Sequence, residues 1–230
     1  MGKVNRRHLA AFLLLLAVIS VGICTWLHFP WWAELVIVLA LGVYALLEWY
    51  EHFAADAKHI ALVATLSALG AVSRTAVQGV PGVQPATFLV IASGYAFGPV
   101  MGAAVGAFTA VGSDLFLGEG GWTPWHVVAW GLAGLTSGLL RRIANRYNKS
   151  LMALYGVIWG YLFGWIMNTW LLLGGTVVSF HAYWLLCIAS FWFDSLHAAA
   201  TGALLFLIGK PVDTVLTRFR ERLTVTRLSA

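Results

Sequence analysis

Arg74, Asp114, Asp194 and His197 are ionisable residues set inside long apolar runs, where a charge is costly and calls for a partner or a task. Arg74 lies sixteen residues past Lys58 and Asp114 fifteen past Pro99, so at 1.5 Å per helical residue they stand about 24 Å and about 22 Å along their helices. The two are level, and an Arg74–Asp114 pair is expected, with Asn168 near the same depth. The pair serves either helix packing or direct solute contact, and the residues alone leave both open. Asp194 and His197 are one helical turn apart. They could be metal ligands or a proton relay, but no third ligand accompanies them, and a mutual hydrogen bond would satisfy both.

A second concentration of chemistry is the stretch GEGGWTPWHVVAWG, from Gly118 to Gly131. Thr123-Pro124 reads as an N-cap followed by proline at the first helical position. Glu119, Trp122, Trp125 and His126 gather polar and stacking groups there, beside free N–H groups that favour anions or carbonyls. An interfacial aromatic belt, ordinary packing and a lid over a solute are all open readings. Two further loops are equipped in the same way: Gln78 to Pro85, with Gln84 beside its proline, and Gly174-Gly175 to His181. The candidate substrate-binding set is therefore Arg74, Gln78, Gln84, Asp114, Trp122, Trp125, His126 and Asn168.

The elements that must position these residues are transmembrane helices. Hydrophobic residues make up 60% of the 230 residues and charged residues 10%, and mean hydropathy is +0.83. No single soluble core hides such a balance, so an all-α integral membrane protein is expected. Eight windows can span: 9–28, 31–50, 59–78, 85–97, 99–117, 124–142, 151–173 and 183–208, with Gly98-Pro99 the weakest boundary. Of the 14 lysines and arginines, all but Arg74 fall on the side of the termini, which predicts cytoplasmic termini and a multi-pass protein of a prokaryotic plasma membrane. The net charge of +5 then reports topology, and nucleic acid need not be invoked. The basic, apolar N-terminus lacks a small-x-small cleavage site and is expected to stay attached. Cys24 and Cys187 are lone cysteines assigned to packing.

Small residues form a further pattern. Gly94, Gly98, Gly102 and Gly106 recur every four residues, as do Gly156, Gly160 and Gly164, and Gly134 with Gly138, which lets helix backbones approach closely. In the third window the small face is alanine: Ala57, Ala61, Ala64 and Ala68. No nucleophile elbow, zinc-protease or nucleotide-loop motif is present, so no catalytic residue and no cofactor is assigned.

From Ala57 to Gly209 the chain resembles the substrate-binding S components of energy-coupling factor (ECF) vitamin transporters. The shared features are a six-span unit, an AxxxA pair on its first helix and helix-breaking outer loops. The stretches VQPATFLVIASGYAFGPVMGAAVGA and DLFLGEGGWTPWHVVAWGLAGL are most similar to the corrinoid (cobalamin) type. The resemblance implies a vitamin bound near the outer face and delivered to a transmembrane coupling protein driven by two ATPase subunits. It further implies that Ala64 and Ala68, with Ala61, meet that coupling protein, and that the outer loops close over the ligand. A metal ion as substrate is not expected, because the chain begins Met1-Gly2-Lys3 where the nickel and cobalt branch has Met-His.

Three segments are expected: two additional N-terminal helices in 1–56, a six-helix substrate-binding core in 57–209, and a basic amphipathic tail in 210–230 that lies on membrane lipid. Glu48, Glu51 and Asp56 stand between the first two segments on the cytoplasmic side. A self-sufficient secondary carrier, with Asp194, His197, Arg74 and Asp114 as a proton path, and a non-transport scaffold remain alternative functions.

Overall fold

The computed structural model describes residues 3–53, 57–144, 146–175 and 179–223. Asp56, Arg227 and residues 176–178 of the loop before the last window lie outside them, and the description extends to the backbone alone at Lys3, Arg6, Arg7, Glu51 and Arg222.

Among the described residues every regular element is a helix. In chain order these are α1 (Lys3–Trp26), α2 (Trp31–Phe53), α3 (Ala57–Ala76), α4 (Pro85–Phe97), α5 (Pro99–Leu117), α6 (Thr123–Ile143), α7 (Lys149–Leu173), α8 (Phe180–Ala189), α9 (Phe191–Leu207) and α10 (Gly209–Leu223). By length and composition α2, α3, α5 and α7 can each cross a membrane, and α9 with α10, bent by 64°, passes as a fifth, broken span. This is a helical integral membrane protein.

Proline sets three of the starts, opening α4, α5 and the first turn of α6 where its missing N–H costs nothing. Gly98-Pro99 does break the chain: Gly98 has φ +99°, a backbone that only glycine adopts readily, and it closes α4 while opening α5. At α6 the expectation shifts by one residue. Thr123 begins the helix rather than capping it, and its hydroxyl accepts from the Gly120 N–H at 3.2 Å, closing the loop behind it.

The single helix expected over 183–208 is instead two, α8 and α9, divided at Ser190. The Ser190 hydroxyl bonds both the Cys187 carbonyl (3.2 Å) and the Asp194 carboxylate (2.9 Å), and serine back-bonding of this kind bends helices.

The glycine rows are the seams of the bundle. A Cβ on Gly94 or Gly102 would strike the Gly134 carbonyl, one on Gly106 the Trp130 carbonyl, and one on Gly138 the Pro99 backbone, so α4 and α5 lie directly on α6. Gly160 meets the Ala198 backbone in the same way, joining α7 to α9. The alanine row is different: Ala57, Ala61, Ala64 and Ala68 are all exposed on α3.

α1 and α2 form a hairpin that rests on α5, α6 and α7. α10 lies against α4 and α9, held by an Arg220 bond to the Ala96 carbonyl (2.9 Å) and by Arg141, 3.7 Å from the Asp213 carboxylate. Its apolar residues divide: Leu216 is buried, while Val215 and Phe219 are half exposed.

Candidate functional site

Arg74 ends α3, Asp114 sits in the last turn of α5, and His126 lies in the first turn of α6. The close seam between α5 and α6 brings the last two together. The Asp114 carboxylate is 2.5 Å from the Arg74 guanidinium and 2.9 Å from His126 Nδ1, whose N–H donates to it. Arg74 also donates to the Ser113 hydroxyl at 2.6 Å. Asp114 is almost fully buried, its side chain 1% exposed, so both of its cationic or polar neighbours are needed to hold a charge there.

Behind this triad lies an aromatic layer. The Arg74 guanidinium stands 4.9 Å over the Trp130 ring. Phe163 of α7 touches three rings, with centroids 4.9 Å from Trp130, 5.8 Å from His126 and 5.1 Å from His197. The Trp130 indole N–H donates to the Thr87 hydroxyl (2.9 Å), which is 2.8 Å from His197 Nε2. Arg74, Asp114, His126, Trp130, Phe163, Thr87 and His197 thus form one continuous polar and aromatic network contributed by six helices. The network is closed, with Trp130 0% and Phe163 3% exposed, and it gathers aromatic rings, a cation, a carboxylate and two imidazoles in one place.

The loop from α3 to α4 closes on the same region. Gly82, at φ +74°, packs so tightly on α9 that a Cβ would lie 2.7 Å from both the Leu196 side chain and the Phe193 carbonyl. Gln84, two residues on, carries a buried Oε1 with no hydrogen-bond partner among the described residues. Gln78 is exposed at the other end of the loop.

Other candidates stand apart from the triad. Trp122 is 37% exposed, packs edge-on to Trp170 at 5.9 Å and donates to the Gly118 carbonyl. Trp125 is turned toward the hairpin, and its indole N–H donates to the Thr25 hydroxyl at 3.0 Å. Asn168 donates to Ser190 (3.2 Å) and to the Cys187 sulfur (3.5 Å). Asp194 and His197 are partnered separately, by Ser190 and Thr87, and no group of three His, Cys, Asp or Glu suited to a metal occurs among the described residues.

Sequence reasoning missed Thr87, Phe163 and Ser113, and passed over Trp130. Trp130 had a signal: it stands four residues after His126, one turn along the same face. Thr87 and Phe163 had none, being ordinary residues of apolar helices until the fold brings them beside His197 and Trp130.

Residues 54–210, more than half of the chain, match the family model of the ECF-type riboflavin transporter S component. No curated protein and no solved structure matches the chain. The matched range begins just before α3 and ends in the first turn of α10, so it takes in all seven residues of the network and leaves out the α1–α2 hairpin. The chain belongs to the family of ECF-type riboflavin transporter S components, and is a membrane transport subunit rather than an enzyme.

Proposed function

We propose that this chain captures a flat heteroaromatic vitamin of the riboflavin type at the Arg74–Asp114–His126 network. It then delivers the vitamin by docking on an energy-coupling module, a transmembrane coupling protein with two ATPase subunits. The observation that carries the reading is the burial of a carboxylate between Arg74 and His126 directly against Trp130 and Phe163. An isoalloxazine-like ring presents two faces for stacking and an edge of alternating donors and acceptors. Trp130, Phe163 and His126, stacked on one another until the ligand parts them, answer the faces, worth about 0.5–1.5 kcal/mol per aromatic pair beyond buried area. Arg74, Asp114, Thr87 and the orphaned Gln84 acceptor answer the edge.

Gln78 and Trp122 form the rim of this site, and Trp125 and Asn168 fix its walls. Eight spans follow if α1 to α7 each cross and α8 and α9 together make the eighth, α10 lying on the membrane surface in place of completing the broken span that length and composition allow; the lysine and arginine distribution then favours cytoplasmic termini. In that orientation the network lies in the outer half. The exposed row Ala61, Ala64, Ala68 is then an open helix face for the coupling protein, since small residues permit close helix approach. Of the three functions that the residues alone leave open, capture is the one the family match supports.

The ligand is tested by adding riboflavin and, separately, cobalamin to the purified full chain and measuring what is retained after gel filtration. Retention of riboflavin at one per chain is the expected result. Retention of cobalamin with no riboflavin would return the ligand to the corrinoid type that the two loop stretches resemble. Retention of neither would remove the flavin assignment.

A further inference from the structure

The bundle contains a cavity of about 1000 Å³ that the capture network does not use. It lies between the α1–α2 hairpin and the core helices α4, α5 and α6, and its wall is apolar, with Val18, Gly42, Ala104 and Leu132 among its residues. It extends along α6 from Val127 to Arg142, fifteen residues or about 22 Å. Gly42 faces open space, for a Cβ built there meets nothing within 4 Å. At the other extreme the mouth is basic: Arg141, Arg142 and Arg220 stand around it with one carboxylate, Glu48. Two of these arginines are fixed in place, Arg141 by Asp213 and the Tyr95 ring and Arg220 by the Ala96 carbonyl. Arg142 is exposed.

We infer that this cavity is a binding site for one anionic phospholipid, one of its two acyl chains lying along the hairpin seam, the other left to the surrounding bilayer, and its phosphate at the arginine mouth. The length suits a single extended chain. Interiors are close-packed, and an apolar space this large between membrane helices leaves its lining without contact atoms unless something apolar fills it. The charge at the mouth selects the headgroup, because basic pockets between spans at the arginine-rich end attract anionic lipids. The lipid then acts as mortar between the hairpin and the matched family core, whichever vitamin the outer site binds.

The test is native mass spectrometry of the delipidated full chain with phosphatidylglycerol or phosphatidylcholine of identical acyl chains. The account predicts one phosphatidylglycerol per chain, held roughly fivefold more tightly than phosphatidylcholine by a net single positive charge, the three arginines less Glu48 and the Asp213 that pairs Arg141, at about 1 kcal/mol. Gly42→Phe, which projects a ring into the cavity across the path of the chain, should weaken retention of the lipid. Arg142→Gln, at an exposed position that leaves the fold unthreatened, should weaken retention about fivefold. Equal retention of the two lipids by wild type, or undiminished retention of phosphatidylglycerol by the Arg142→Gln protein, would overturn the assignment. So would a folded Gly42→Phe protein that binds like wild type.

Discussion

Trp125 and His126 are neighbours in the first turn of α6, yet they head two polar chains that leave the helix in different directions. His126 points into the bundle, to Asp114 and through it to Arg74. Trp125 points to the hairpin, where Thr25 accepts its indole N–H and in turn donates to Glu34 Oε2 at 2.8 Å. Both chains contain a buried carboxylate. They differ in what completes it. Asp114 has a cation and an imidazole set against the buried rings of Trp130 and Phe163, whereas Glu34 has one hydroxyl in the first turn of α2, where the helix N-terminus favours a negative charge. The first arrangement is the one proposed above to meet the ligand. The second links α1, α2 and α6 through Thr25 and reads as a clasp between the additional hairpin and the core.

The sharpest way to break this contrast is to remove the inner carboxylate. Asp114→Ala leaves the part-buried Arg74 guanidinium without its counter-charge and the His126 N–H without its acceptor, and breaking a buried pair costs about 3–5 kcal/mol. Loss of vitamin binding and a large fall in melting temperature are the expected outcome, measured by thermal denaturation in detergent. A protein that melts like wild type would show that the pair is dispensable to the fold.

Next in size is the clasp. Thr25→Val leaves the Trp125 N–H and the Glu34 carboxylate unpaired, at about 1–3 kcal/mol for each buried polar group left unsatisfied. Stability should fall while vitamin affinity stays unchanged. A fall in affinity equal to that of a network variant would merge the two regions into one site.

Delivery separates from capture on the outer face of α3. Ala64→Trp or Ala68→Trp should abolish uptake in vesicles holding the coupling module while leaving the binding constant of the purified chain unaltered, because bulk on a small-residue face prevents close helix approach. Normal uptake by both variants would remove the docking assignment. The smallest effect belongs to Trp122→Ala. Its exposed ring packs on Trp170, so affinity should weaken only by a few-fold, the worth of about 1 kcal/mol of edge-on aromatic contact.

The legibility of these features in the sequence followed the range of the interactions that make them. Arg74 and Asp114 could be set level by counting along two helices, since rise per residue is constant and each helix begins at a readable signal, Lys58 in one case and Gly98-Pro99 in the other. The glycine seams were readable because they are periodic. The rotation of a helix about its axis is not readable in this way. Trp125 and His126 differ by 100° on α6, and only packing against α1 on one side and α5 on the other decides which faces the bundle. The break at Ser190 was hidden because no proline or glycine marks it, and the bend comes from a serine hydroxyl bonding back to its own helix. Thr87 was invisible for the opposite reason: it becomes meaningful only when His197, 110 residues away, arrives beside it.

The central claim is that the inner chain from His126, and not the clasp from Trp125, holds the vitamin. Fluorescence titration of riboflavin against wild type, Trp130→Ala and Trp125→Phe tests it most directly. Trp130→Ala removes a stacking face, the cation–π partner of Arg74 and the donor to Thr87, and should weaken binding at least tenfold. Trp125→Phe removes one indole N–H from the hairpin clasp and should leave the binding constant as it is in wild type. Equal weakening in both variants, or unchanged affinity in Trp130→Ala, would contradict the account.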